Sequence, residues 1–348
     1  MKLLNRLFGQ QDVVKKAEVY SRPFLLTASE EDIAACFRLL LNRNPGEKEW
    51  HGHRQTAGIP LVEIVSKFLH SNEFKSRKLS SSSLAESGHD IIDTLEGFRI
   101  CISRDDKVCG SLRDSRDYEA AVTSIVKKVL SPGMNFVDIG ANIGYFSLLA
   151  SRLVGEIGKV FAVEPYPYNL KLLNLNLMLN ACHNVEVLPF ALAEKKGFLN
   201  YDDSAGNSGN VFALDANLEA ILESVLVYAV RLDDVLVSDK PIDLIKMDIE
   251  GAEYLAIQGM KRIIQQDRPI MISELSEGFL QSVSGVTMRD YLQALLPDDS
   301  WQLAIIRGVD ELEFCGCDIE AVIRRFQEGC SICMDIVAYP AEKHELLL

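Results

Sequence analysis

Residues 136 to 164 read FVDIGANIGYFSLLASRLVGEIGKVFAVE. The order is a short apolar strand, a glycine turn, a helix, a second apolar strand and a carboxylate at that strand's end, the layout of a nucleoside-binding βαβ unit. The turn runs Asp138-Ile139-Gly140-Ala141-Asn142-Ile143-Gly144, so its glycines are spaced GxxxG rather than the GxGxxG that cradles a dinucleotide pyrophosphate. A ligand without phosphates is expected. Asp138, just ahead of the first glycine, would repel a phosphate but hold the ammonium of an amino-acid moiety. Glu164, 20 residues after Gly144, stands where it can accept hydrogen bonds from both ribose hydroxyls. S-adenosylmethionine carries both groups. A glycine turn alone can serve close packing, and it is the carboxylate at the next strand end that favours a ligand.

Outward from this unit, strand and helix signals alternate. Strands are expected near 136–140, 159–164, 185–190 and 242–248, with helices near 144–154, 167–180 and 251–264 and two more strands at 269–274 and 332–338. An extended stretch, Phe98–Ile102, and a helix from about Asp117 to Leu130 precede it. Such alternation predicts an α/β fold, a Rossmann-like doubly wound and mainly parallel sheet with helices on both faces. Ligands in such sheets sit beyond the carboxyl ends of the strands. The site is therefore expected to assemble from Asp138, Glu164, Asp248 and Glu274, all at predicted strand ends.

The chain has 348 residues, 48% of them hydrophobic and 25% charged, enough for a large domain with a real core and a smaller one. No apolar run approaches the roughly 18 residues that span a bilayer, and residues 1–20 lack a signal-peptide core. Eight scattered cysteines predict reduced thiols. The expected location is cytoplasmic, with at most weak membrane-surface association at the inner face, because Met1–Phe8 forms too short an amphipathic turn to anchor. A net charge of −14 disfavours a nucleic-acid partner, which requires a basic face. Residues 1–80 nevertheless carry +4 and the remainder −18.

That charge break coincides with the polar run Ser80–Gly88. The expected organisation is an N-terminal segment 1–26, a small all-α module 27–79, a linker 80–90, a lead-in 91–130 and a catalytic domain 131–348. In the module, Ser29 with Asp32 reads as a helix start. Ile33, Cys36, Phe37, Leu40 and Leu41 follow at helical spacing, Asn44-Pro45-Gly46 ends that helix, and Leu61, Ile64, Val65, Phe68 and Leu69 mark another. The stretches Arg38–Gly58 and Lys67–Phe74 resemble a short helical module that recurs in bacterial glycan-related and surface-associated proteins. His51 and His53 flank Gly52 there without a matching Cys or carboxylate cluster, so a loop or surface role is expected.

In the larger part, FVDIGANIGYFSLLA, VFAVEPYPYNLKLLNLNLMLN, PFALAEKKG, RLDDVL, DLIKMDIEGAEYLAIQGM and IMISEL follow one another. This succession, over roughly residues 91 to 340, resembles the FkbM family of S-adenosylmethionine-dependent methyltransferases, and Lys246–Glu253 is its most diagnostic piece. The resemblance implies a class I methyltransferase type of sheet whose last strand is antiparallel. It also implies methylation of hydroxyl groups on natural products and sugars. On the matching motifs, Asp138, Gly140, Asn142, Gly144, Glu164, Pro165, Asn169 and Ala191 would bind the cofactor. Tyr118, Glu119 and Ser208 would face the substrate.

An alcohol is a poor nucleophile at neutral pH, so the site must align an oxygen with the S–CH₃ bond and help remove its proton. No histidine lies at a predicted strand end. Asp248 is the leading base candidate, with Glu250 and Glu274 beside it and Lys246 orienting or tuning them. Several acids so close should raise at least one pKa. Glu253 reads as a structural residue at a helix start. Three carboxylates could also hold a divalent ion, but no distinctive spacing assigns one. Cys315, Cys317, Cys330 and Cys333 could form a zinc site, against which Ile332–Val337 reads as a strand that turns Cys333 inward. The acceptor is expected to be a hydroxyl-bearing small molecule or glycan. A polyketide acceptor, a non-catalytic nucleoside-binding scaffold and an NAD-dependent oxidoreductase are the other readings, the last disfavoured by the glycine spacing. Oligomeric state is not legible.

Overall fold

The computed structural model describes residues 27–41, 43–69, 71–76, 88–104, 110–202, 210–213, 224–329 and 332–348. The chain divides into two units, Met1–Ser87 and Gly88–Leu348. In the first, Ser29 starts α1 (Glu30–Leu40) through the expected capping box: the Asp32 N–H donates to Ser29 Oγ at 3.1 Å and the Ser29 N–H to Asp32 Oδ2 at 2.8 Å. Helices α2 (Glu47–Arg54), α3 (Leu61–Leu69) and α4 (Asn72–Ser76) complete it around Ile33, Phe37, Ile64 and Phe68. Arg43 clamps α2 to α4, bonding Glu49 at 2.7 Å and Glu73 at 2.6 Å. His51 and His53 lie on helix α2, not in a loop, and the His53 ring packs edge-on against Phe37 at 5.0 Å. The Met1–Phe8 segment lies outside the described residues, as does most of the polar run Ser80–Gly88.

The second unit opens with a hairpin, β1 (His89–Asp93) and β2 (Arg99–Ser103), so the stretch 80–90 read as linker ends in a strand. Helices α5 (Gly110–Ser115) and α6 (Ala120–Val129) lead to β3 (Asn135–Ile139), α7 (Tyr145–Val154), β4 (Lys159–Val163), α8 (Pro167–Leu179) and β5 (Val185–Leu188). Four short strands follow: β6 (Ala191–Leu192), β7 (Gly197–Asp202), β8 (Asn210–Ala213) and β9 (Val225–Val230). After α9 (Leu232–Val235) come β10 (Leu244–Met247), α10 (Glu253–Gly259), α11 (Lys261–Asp267) and β11 (Ile270–Leu275). The chain then forms α12 (Glu277–Phe279), a π-helical turn (Leu280–Ser284), α13 (Met288–Ala294), β12 (Trp301–Gly308), β13 (Glu311–Gly316), α14 (Ile319–Glu328) and β14 (Met334–Pro340).

The main sheet is ordered β13-β12-β14-β11-β10-β3-β4-β5, with β11, β10, β3, β4 and β5 parallel. Strands β3, β4 and β10 are almost wholly buried, as continuous apolar runs covered on both faces must be. The last strand, β14, is antiparallel to both β11 and β12. This is the doubly wound Rossmann-like α/β fold that the alternation predicts. From central β3 the chain winds outward to β4 and β5, then returns to β10 on the other side, so the switch point lies between β3 and β10. A second sheet, ordered β6-β9-β7-β8, packs Ala191, Tyr201, Val227 and Ala229 near Ala252. The buried amide of Asn176 on α8 ties in the β1–β2 hairpin, accepting from the Cys101 N–H at 2.6 Å and donating to the Cys101 and Ile143 carbonyls at 3.2 and 2.8 Å.

Three boundaries differ from expectation. The helix read at 251–264 breaks at Met260 into α10 and α11. The final strand starts at Met334, so Cys333 precedes it and is exposed rather than turned inward. The helix read from Asp117 starts at Ala120, which leaves Tyr118 and Glu119 in the turn before it.

Candidate active site

One cavity of about 250 Å³ opens beyond the carboxyl ends of β3, β4 and β10, at the switch point. Gly140, Asn142, Glu164, Pro165, Asn169, Ala191, Tyr118, Glu119, Lys246, Asp248, Glu250 and Glu274 all line it. Asp138 and Gly144 do not, and Ser208 lies outside the described residues. Tyr145, Phe146, Phe190, Tyr201 and Ile249 add apolar walls that the sequence reading did not name.

The turn after β3 brings these groups together. Gly140 and Ala141 donate their N–H groups to the Val163 carbonyl at 3.0 and 2.9 Å, and the Asp248 N–H donates to the Ile139 carbonyl at 3.0 Å. The three strand ends are thereby stitched side by side. Gly140 has φ +82°, and a Cβ there would stand 2.0 Å from the Asp248 carbonyl oxygen. Glycine is thus required by both conformation and contact. Among the described residues, Glu119, Asn142 and Glu250 line the cavity with left-handed backbones at φ 43°, 51° and 54°. Such conformations cost about 1–2 kcal/mol each and gather at functional sites.

Glu164 closes one end. Its Oε2 accepts from the Asn142 N–H at 2.9 Å and its Oε1 from the Tyr166 N–H at 2.8 Å. The Asn169 side chain bonds it as well, so of the about four acceptor positions of a carboxylate one is left for a hydroxyl. Burial pushes its pKa up to about 7 against those hydrogen bonds. Asn142 Oδ1 is buried without a partner among the described residues. A rigid carboxylate beside a spare amide acceptor fits a ribose and its nucleoside.

Lys246 governs the other end. Only 4% exposed, it donates to Asp248 Oδ2 at 3.0 Å, lies 3.8 Å from Glu119 Oε2 and sits 4.5 Å from the centre of the Phe146 ring. Burial works against its charge, but Asp248, Glu119 and Asp138 outweigh it and hold its pKa above the usual lysine value. The crowding of acids has the expected result. Burial, with Asp248 adding repulsion, raises Glu274 to about 8. Burial also raises Glu119 to about 7, with Lys246 opposing and Asp248 and Asp335 adding to the rise. Asp335, paired with Glu274 across β14 and β11, joins the cluster unpredicted, its pKa also raised chiefly by burial. Glu253 is structural, accepting from the Ile249 and Gly251 N–H groups at 2.9 Å each.

Asp138 is 1% exposed, and its Oδ2 accepts from Ser147 Oγ at 2.6 Å. The sequence reading placed it against a ligand ammonium; it lies beneath the turn and outside the cavity lining, with Oδ1 lacking a partner among the described residues. Among the described residues no three His, Cys, Asp or Glu side chains are placed to hold a metal ion. Of the four thiols considered for zinc, Cys317 and Cys333 are exposed, Cys315 is half-buried, and Cys330 lies outside the described residues.

The chain matches the family model described as Methyltransferase FkbM domain over residues 138–296. Residues 138–296 are an FkbM methyltransferase domain. Tyr118, Glu119 and Asp335 lie outside the matched FkbM stretch although they reach its cavity or its acidic cluster. Among curated proteins, the chain is 25% identical over 149 residues to a protein of Sulfolobus acidocaldarius named Probable cobalt-precorrin-6B C(15)-methyltransferase (decarboxylating), covering 41% of this chain and 78% of that one. It is 30% identical over 154 residues to Methyltransferase sdnD of Sordaria araneosa, covering 36% of this chain and 59% of that protein's length. Among solved structures, methyltransferase FkbM from Methylobacillus flagellatus aligns with a TM-score of 0.39 and 15% identity, covering 88% of this chain and 58% of that one. The O-methyltransferase from Bacillus cereus in complex with SAH aligns with a TM-score of 0.36 and 12% identity, over 64% and 80% of the two chains.

The buried acids of the FkbM domain set a pH dependence. Glu164 and Glu253 are raised to about 7 in the folded protein by burial, against an ordinary value of 4.5. The folded state therefore binds more protons than the unfolded chain between those values. This contribution is complete below pH 4.5 and is lost as pH rises through about 7, by up to about 1.4 kcal/mol per pH unit for each group. The cofactor-free protein should melt at lower temperature at pH 8 than at pH 6, and Glu164→Gln should flatten the trend. A melting temperature that climbs over this interval contradicts the assignment.

Proposed function

We propose that this protein is an S-adenosylmethionine-dependent O-methyltransferase acting on a hydroxyl, with a sugar of a bacterial surface glycan or its precursor as the acceptor. The observation that carries the reading is the continuity of one cavity from Glu164, suited to a ribose, to the Lys246–Asp248 pair, suited to deprotonation. Bound S-adenosylmethionine supplies an activated methyl on a sulfonium. Gly140 and Asn142 would lie in the turn beneath it, Glu164 would accept from a ribose hydroxyl, and Pro165, Asn169 and Ala191 would enclose the nucleoside. Asp248 would take the proton of the acceptor hydroxyl, and Lys246 fixes the Asp248 carboxylate. Glu250 and Glu274 orient the remaining hydroxyls of the acceptor, and Tyr118 bounds it.

Sugars suit this end because protonated and ionised carboxyls together can both donate to and accept from vicinal hydroxyls. The net charge of −14 and the carboxylate-rich end speak against a nucleic-acid acceptor. Among the described residues no helix is long and apolar enough to cross a membrane. A cytoplasmic enzyme working at the inner face of a membrane accords with the more basic residues 1–80. The Sulfolobus relative's name describes methylation at carbon. Here the carboxylates beside the cavity favour oxygen.

The test is incubation with methyl-labelled cofactor and a panel of bacterial glycans, lipids and polyketide alcohols, followed by mass spectrometry. Label on a sugar oxygen is the expected result. Label on carbon, nitrogen or a polyketide oxygen overturns the acceptor assignment.

A further inference from the structure

Asp138 is buried, with Oδ2 bonded to Ser147 and Oδ1 without a partner among the described residues, and it does not line the cavity, whereas Glu119 and Lys246 do. Resting on the reading of the cavity as an S-adenosylmethionine site, we propose that Glu119 and Lys246 hold this end, Glu119 taking the ammonium and Lys246 the carboxylate.

Sheet order sets the direction. Strand β3 lies between β4 and β10, and Glu164 stands at the end of β4. A ligand whose ribose meets Glu164 and which crosses the β3 turn arrives at the end of β10, where Lys246 and Asp248 lie and where Glu119 faces them from the start of α6. The ligand's far end is a zwitterion. The protein offers it a complementary pair, Glu119 Oε2 and Lys246 Nζ, at 3.8 Å. That separation is short enough for attraction and too long for a hydrogen bond, so each member keeps bonding capacity toward a ligand. Lys246 spends one of its three donors on Asp248 at 3.0 Å.

The backbone at Glu119 is also built for this direction. It occupies the N-cap position of α6, where an acidic side chain ordinarily turns back to bond the helix, yet it makes no capping bond. Instead its φ of +43° accompanies a carboxylate that meets Lys246. The helix forgoes a cap and the chain accepts left-handed strain, which an anchored cofactor contact would offset. Burial leaves the Glu119 carboxyl near pKa 7, so a cation beside it would draw it to the ionised form. Tyr118, bonded to Glu119, packs its ring 5.3 Å from Tyr145 and holds the turn in place.

The experiment compares two nucleosides by calorimetry: S-adenosylhomocysteine, which has the amino-acid end, and 5′-methylthioadenosine, which lacks it. In Glu119→Gln, affinity for S-adenosylhomocysteine should fall about 10- to 100-fold, the loss of one charge-assisted contact. Affinity for 5′-methylthioadenosine should stay within about twofold, which also shows that the variant is folded. Asp138→Asn serves as the contrast and should weaken both ligands alike. Unchanged S-adenosylhomocysteine binding in Glu119→Gln, or equal losses for both ligands, overturns the proposal. If the unaltered protein binds neither nucleoside, the cofactor reading itself falls, and this inference with it.

Discussion

Gly140→Ala should abolish cofactor binding and destabilise the second unit by about 3 kcal/mol or more. Two separate effects add at this position. The backbone lies at φ +82°, where a β-carbon costs about 1–2 kcal/mol. The new methyl would also sit 2.0 Å from the Asp248 carbonyl oxygen and 2.9 Å from Ile249 Cγ2. The carbonyl is backbone and cannot rotate away. The β3 turn and the end of β10 would have to separate, opening the floor on which both halves of the site stand. Gly155→Ala is the matched control. Its φ of +64° and ψ of −170° lie in a region essentially confined to glycine, but nothing lies within 4 Å of the added carbon, so only a conformational cost of about 1–3 kcal/mol applies. Thermal melts and calorimetry on the two variants separate contact from conformation. Equal behaviour of the two contradicts the role given to the turn.

Asp248→Asn should leave the fold and S-adenosylhomocysteine binding near those of the unaltered protein while methyl transfer falls by about 10²- to 10⁴-fold. The amide oxygen still accepts the hydrogen bond from Lys246, so the buried lysine keeps a partner. What disappears is the capacity to take a proton. Single-turnover rates with an acceptor from the glycan panel measure the loss directly. Glu250→Gln and Glu274→Gln should instead raise KM with a smaller change in kcat, because those groups orient the acceptor. Near-unaltered turnover in Asp248→Asn would mean that another carboxyl removes the proton.

The central sheet was legible because parallel strands covered on both faces must be continuously apolar. FVDIG, VFAVE and IMISEL declare themselves in that way. The hairpin β12–β13 and the small sheet β6-β9-β7-β8 were not. Strand β6 is two residues long, and β12 turns into β13 through Val309 and Asp310, with Asp310 left-handed at φ 56°, rather than through a glycine-bearing turn pair. The break between α10 and α11 carries no proline. At the site, residue type and position at a strand end selected Glu164, Lys246 and Asp248, and the cavity gathers all three. Those cues cannot say how deeply a carboxylate is buried. Asp138 and Glu164 both stand at strand ends, yet one lies beneath the glycine turn and the other on the cavity wall. Asp335 escaped notice because the antiparallel strand β14 starts in register with the end of β11, pairing Asp335 with Glu274, 61 residues earlier, which no local pattern encodes.

Every role proposed for the cavity requires it to hold an S-adenosyl nucleoside anchored at Glu164. Calorimetric titration of the protein with S-adenosylhomocysteine, repeated on Glu164→Ala, addresses this most directly. One-to-one binding that weakens by about 100-fold or more in the variant is the predicted result. Absence of binding to the unaltered protein, or equal affinity in the two, contradicts it.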